Sequence, residues 1–119
     1  AIGDVFALGA AVIQLNQPRQ PCWKIDARHG CEGIAAHVER EGLAGWYFRV
    51  LEPGWLCPGD PLRRIARNPS PISLHRFHAL RGERQPPLED LVQLADTPGL
   101  TPDWQRRLRE RLDWLRQDP

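Results

Sequence analysis

The sequence predicts an α+β chain, with antiparallel strands across about residues 1–68 and three helices across 72–119. Three observations lead there. Short apolar runs separated by glycine and proline turns fill the first half, the pattern of paired strands. At Pro69-Ser70-Pro71 the apolar spacing changes toward the helical period, which makes this the boundary between the two parts. Staple and capping signals then open helices in the remaining two-fifths.

Taken in order, Val5–Ala7 and Ala11–Leu15 flank Leu8-Gly9-Ala10 as a hairpin. Ile13 and Leu15 fall on one face of the second strand, Gln14 and Asn16 on the other. Pro18 and Pro21 should stop strand pairing, since neither can donate to a ladder. Pro21 is placed to open a helical turn leading into Trp23-Lys24-Ile25. Gly33 to Glu41 reads as a helix, ended by Gly42. Trp46–Leu51 is the strongest strand, and Pro53-Gly54 ends it. Trp55–Cys57 is expected as a short strand, and Leu62–Ala66 as a closing one with Ile65 facing inward.

Beyond the boundary, Ser73 is an N-cap, with Ile72 and Phe77 at the two positions of a hydrophobic staple. Leu88, Leu91, Val92 and Ala95 mark a second helix by their spacing. Thr101-Pro102 supplies a capping hydroxyl followed by proline at the first helical position. Trp104, Leu108, Leu112 and Leu115 line one face of that third helix.

Composition narrows the function classes. With 41% hydrophobic and 26% charged residues in 119, neither global disorder nor collagen fits. No apolar run approaches the roughly 20 residues of a membrane span, so a soluble chain without a membrane partner is expected. The net charge is +1, but residues 61–84 hold six arginines against one glutamate. Prolines interrupt that basic stretch, so no nucleic-acid partner is expected, while arginine forks do suit phosphate and carboxylate. Three cysteines are an odd number at low density, which points to a reducing cytoplasm over a disulfide scaffold. Methionine is absent, as it would be after initiator removal or in a chain beginning midway through a longer protein.

Cys22 is the leading candidate for chemistry. Within the first turn of a helix opened by Pro21, its thiol would meet free N–H groups, with Arg19 and Lys24 nearby. Both features favour thiolate, the form that attacks electrophiles and binds soft metals. A buried core thiol is the competing reading for Cys22 and the expected one for Cys57. Cys22, His29, Cys31 and His37 lack the tight pairs of a structural zinc site. His75 and His78 share a helix face and read as solvated or staple-side residues. A pyridoxal Schiff base would have only Lys24 to use, since it is the sole lysine. There is no glycine-rich phosphate loop and no serine nucleophile elbow.

A resemblance rests on several stretches together. Ile2-Gly3-Asp4-Val5-Phe6, then Ala11 through Ile25 with its Gln17-Pro18-Arg19-Gln20-Pro21-Cys22 segment, resemble the core of the MOSC domain. Gly45-Trp46-Tyr47-Phe48-Arg49-Val50-Leu51 and Gly59-Asp60-Pro61-Leu62 are similar to that family's later strands, in the right order. The match is with the bacterial branch typified by the 6-hydroxyaminopurine reductase. The helices after residue 71 resemble the three-helix "3-alpha" segment of that branch.

This resemblance implies a β-barrel portion over 1–68, a 3-alpha segment over 72–119, and an oxidoreductase dependent on the molybdenum cofactor, a molybdopterin. Cys22 would be the metal ligand and catalytic residue, with Gln17, Arg19 and Lys24 in the cofactor site. The implied substrates are small N-hydroxylated compounds such as N-hydroxylated purines, and a separate reductase would supply electrons. A non-catalytic carrier of the cofactor or of sulfur is the alternative.

Full-length relatives of this type carry a Lys-Val-His-Gly-Gly-like and a Phe-Gly-Glu-Asn-Leu-like segment, and neither occurs here. The expectation is therefore a fragment, inactive alone, or a protein whose activity is lost or divided. An incomplete barrel exposes a strand edge, so the chain is expected to form a homodimer or to depend on further N-terminal residues.

Overall fold

The computed structural model describes residues 1–69 and 71–117. Ser70, the middle of the expected boundary, and the final two residues of the expected 72–119 segment lie outside the described residues. Four strands occur along the chain, β1 (Val5–Leu8) and β2 (Ala11–Pro18), then β3 (Trp46–Glu52) and β4 (Leu62–Ala66), the last two forming the opposite edges of one sheet. Helices α1 (Lys24–His29) and α2 (Ile34–Arg40) lie between β2 and β3 in the chain. Helices α3 (Leu74–Gly82), α4 (Leu88–Ala95) and α5 (Pro102–Gln117) follow. All strand pairings are antiparallel, in the order β3-β2-β1-β4, and the sheet is open.

The β1–β2 hairpin turns on Gly9 and Ala10, with Leu8 opposite Ala11. Gly9 holds φ at +56°, a left-handed value that costs glycine little. Along β2, Ala11, Ile13 and Leu15 are buried while Val12, Gln14 and Asn16 are partly exposed, the alternation expected of a strand with one covered face. The strand continues past the expected stop, because a register shift between Leu15 and Gln17 lets Pro18 pair with Trp46 at the ladder's end. At that position its missing donor disrupts nothing further along.

The core belongs mainly to the helices. Phe77, Leu80, Leu91, Leu94, Trp104, Leu108 and Leu112 form it, and Ile2 and Leu15 join from the β side. Phe6 and Phe48 pack against it edge-to-face, with ring centroids 5.8 Å apart. Ser73 caps α3 as expected, its hydroxyl accepting from the Arg76 N–H at 3.0 Å, and both staple residues, Ile72 and Phe77, are buried. Asp4 and Asn68 fasten the two ends of the β part to each other. The Asn68 N–H donates to Asp4 Oδ1 at 2.7 Å, and the Asn68 amide donates to the Ile2 carbonyl at 3.0 Å.

Four expectations need correction. Helix α1 begins at Lys24 with Trp23 at its cap, so Pro21 does not open it. Trp55–Cys57 is not a strand; the Trp55 carbonyl instead accepts the Ala10 N–H at the hairpin tip, at 3.0 Å. Ile65 is half exposed, because edge strand β4 has no layer of structure over it. The Thr101 hydroxyl does not cap α5; it donates to Gln17 Oε1 at 3.1 Å.

The open sheet also leaves Trp46, Tyr47, Val50, Leu51 and Leu62 exposed. The radius of gyration, 16.5 Å, exceeds the roughly 13–14 Å of a compact globule this long. Among the described residues no helix is long and apolar enough to cross a membrane.

Candidate functional site

The loop from Pro18 to α1 carries the candidate cysteine, and two bonds set its path. The Arg19 N–H donates to the Gly45 carbonyl at 3.0 Å, tying the loop to the approach to β3. The Ile25 N–H donates to the Cys22 carbonyl at 3.1 Å, so Cys22 lies in the turn that precedes α1. The expected position within the first helical turn is therefore wrong by about one residue beyond the cap. The cause is Pro21, whose fixed φ suits a turn as well as a first helical residue.

Cys22 is exposed and lines a cleft of about 560 Å³. Arg19 and Lys24 line the same cleft, as expected from their spacing. Its apolar wall comes from Ile25 on α1, Val38 on α2 and Leu43 in the loop before β3. Asp26 holds that wall together. Its two carboxylate oxygens accept the N–H groups of Gly33 and Ala35 at 3.1 and 2.8 Å, capping α2 from α1. Val38 and Leu43 are far from Cys22 in sequence, and no local pattern announces their part in the cleft.

Gln17 does not line this cleft, being engaged by Thr101. Among the described residues its neighbour Asn16 has a buried Oδ1 with no hydrogen-bond partner. An orphan acceptor costs on the order of 1–3 kcal/mol unless a ligand or water satisfies it. Cys57 is exposed, not core; its N–H donates to Asp60 Oδ2 at 2.7 Å in a tight turn. Among the described residues no three of His, Cys, Asp and Glu gather as a metal site would require, so Cys22, His29, Cys31 and His37 do not converge. His78 packs near Phe77, and burial, then the Arg81 charge, hold its imidazole below the ordinary value.

The MOSC domain family model matches residues 1–63. The chain belongs to the MOSC domain family. It is 33% identical to YflK of Bacillus subtilis (strain 168) over 114 residues, covering 96% of this chain and 52% of YflK. It resembles the crystal structure of YiiM from Geobacillus stearothermophilus with a TM-score of 0.87 at 31% identity, covering 93% of this chain and 57% of that one. A protein of Gibberella moniliformis (strain M3125 / FGSC 7600) named Reductase is 37% identical over 67 residues, 56% of this chain and 12% of its own. The chain thus spans about half the length of YflK, 52%. The MOSC match takes in all of β1, β2 and β3 and the Cys22 loop between them.

Proposed function

We propose that this chain is the cysteine-bearing part of a molybdenum-cofactor oxidoreductase that reduces N-hydroxylated compounds such as N-hydroxylated purines. The observation that carries this reading is the Cys22 cleft: an exposed thiol, two cations and an apolar wall within a MOSC-family chain. The donor chemistry fits the cofactor. A thiolate is a soft ligand suited to a thiophilic metal. Arg19 and Lys24 suit an anionic phosphate, Arg19 as a fork and Lys24 as a point charge. Molybdenum held by the pterin, when bound, supplies the two-electron chemistry that removes oxygen from the substrate.

The chain's own residues bind and orient. Cys22 would hold the metal, Arg19 and Lys24 would neutralise the cofactor's charge, and Ile25, Val38 and Leu43 would exclude water from one side. The open sheet is proposed as a portion of a barrel completed by other residues of the longer protein, with α3, α4 and α5 as its 3-alpha segment. Electrons would come from a separate reductase. The relative named Reductase supports the redox class over the stretch it shares.

The exposure of Cys22 at an open cleft also favours a second reading, a carrier that hands on the cofactor or a sulfur atom. Turnover separates the two. With an artificial electron donor, an oxidoreductase reduces an N-hydroxylated purine, whereas a carrier binds cofactor without turnover.

A further inference from the structure

A second cleft, of about 370 Å³, opens where the Cys22 loop meets α3 and α5. Gln20 lines it from the loop, Arg81 from α3, and Trp104, Arg107 and Arg111 from α5. Positions 104, 107 and 111 are three and seven residues apart, so they share one face of α5. Nothing in the molybdenum reading uses these side chains.

The arginines are held in place before any ligand arrives. The Trp104 indole is only 8% exposed and packs edge-on against Phe77 with centroids 5.0 Å apart. On that fixed ring lie two guanidiniums, Arg81 at 5.5 Å and Arg107 at 5.2 Å from the centroid. Arg111 donates to the Leu80 carbonyl at 2.8 Å and to the Glu83 carbonyl. Stacked or anchored guanidiniums lose less freedom on binding than free ones.

Their charge is incompletely matched. Glu39, itself exposed, reaches Arg81 at 3.5 Å. Asp103 pairs with Arg107 at 3.0 Å and also with Arg106 at 2.8 Å, which Glu110 meets in turn at 2.9 Å. Among the described residues Arg111 has only carbonyl partners and no carboxylate within ion-pair distance. Three cations thus line one open cleft against two acids, Glu39 and Asp103, leaving a positive charge over at Arg111. Concave, one-signed charge concentrates counter-ions, and planar forks match the oxygens of a phosphate dianion.

We infer that this cleft is an anion-binding site that takes the phosphate of a small phosphomonoester. Gln20 adds an amide donor, and because Arg19 lines the neighbouring cleft, the bound phosphate sits one residue along the loop from the Cys22 site.

The test is titration of the protein with inorganic phosphate and with a nucleoside 5′-monophosphate, with acetate as comparator, at constant ionic strength. The Trp104 indole N–H resonance reports the site. Both phosphates should shift it saturably and acetate should not. Arg81→Gln with Arg107→Gln should weaken phosphate at least about tenfold, while Arg109→Gln, on α5 outside this cleft and paired with Asp96, leaves it unchanged. If that double variant misfolds by circular dichroism, Arg81→Lys with Arg107→Lys keeps the charge, removes the forks and should still weaken binding. Equal response to acetate, unchanged affinity in the folded double variant, or an equal loss in Arg109→Gln overturns the assignment.

Discussion

The Thr101 hydroxyl donates to Gln17 Oε1 at 3.1 Å, joining the start of α5 to the end of β2 across 84 residues of sequence. The Thr101 N–H adds a bond to the Asn16 carbonyl at 3.2 Å. The strand that delivers Arg19 and Cys22 is therefore positioned by a helix from the other end of the chain. Thr101→Val keeps the side-chain shape and the backbone bond but leaves Gln17 without this donor. It should cost about 0.5–1.5 kcal/mol in urea unfolding, and Thr101→Ser should recover most of that.

Asp26 is predicted to matter more for the cleft than for the fold. Asp26→Ala removes the acceptor for both the Gly33 and Ala35 N–H groups. Loss of such a cap costs about 0.5–2 kcal/mol. Amide exchange should accelerate at Gly33 and Ala35 in this variant, with the α5 amides unaffected. Equal acceleration throughout would contradict the local role.

Acid should weaken the fold through Asp4. Burial opposes ionisation of this carboxyl, which is 1% exposed. In the 119-residue chain with a free amino group at Ala1, that ammonium at 2.8 Å, the Asn68 N–H at 2.7 Å and Arg64 at 3.6 Å outweigh it, holding the carboxyl below its ordinary value of 3.8. A group depressed on folding adds stability that is complete above its unfolded value and lost as pH falls through the folded one. That contribution should therefore disappear on acidification below pH 3.8. Asp4→Asn should cost about 1–3 kcal/mol at neutral pH. Urea midpoints across the acid range should then converge for the two proteins.

Much of the fold was legible because its signals are local. The alternation of Ile13 and Leu15 located β2, and the apolar run at Trp46 located β3. Ser73 with Ile72 and Phe77 announced α3 through chemistry contained in six residues. What failed depended on distant structure. Ile65 and Cys57 are apolar or weakly polar, so burial was expected, but burial needs a covering layer and β4 and the Asp60 turn have none. Thr101 has the local pattern of a cap, and its competitor Gln17 lies 84 residues away. At the site, Arg19, Cys22 and Lys24 could be grouped by adjacency, and the cleft does unite them. Val38 and Leu43 could not, since only the α1–α2 turn fastened by Asp26 brings them across.

The most direct test of Cys22 as the molybdenum ligand is metal content per chain in Cys22→Ser and Cys57→Ser, made in the protein at its natural length. Serine preserves approximate volume but replaces a soft thiolate with a hard, protonated hydroxyl. Both cysteines are exposed, so neither substitution opens a core cavity, and folding should be alike in the two variants. The prediction is that Cys57→Ser keeps its molybdenum and its reduction of an N-hydroxylated purine, while Cys22→Ser falls to background in both. Molybdenum retained by folded Cys22→Ser, or lost equally from Cys57→Ser, would contradict it.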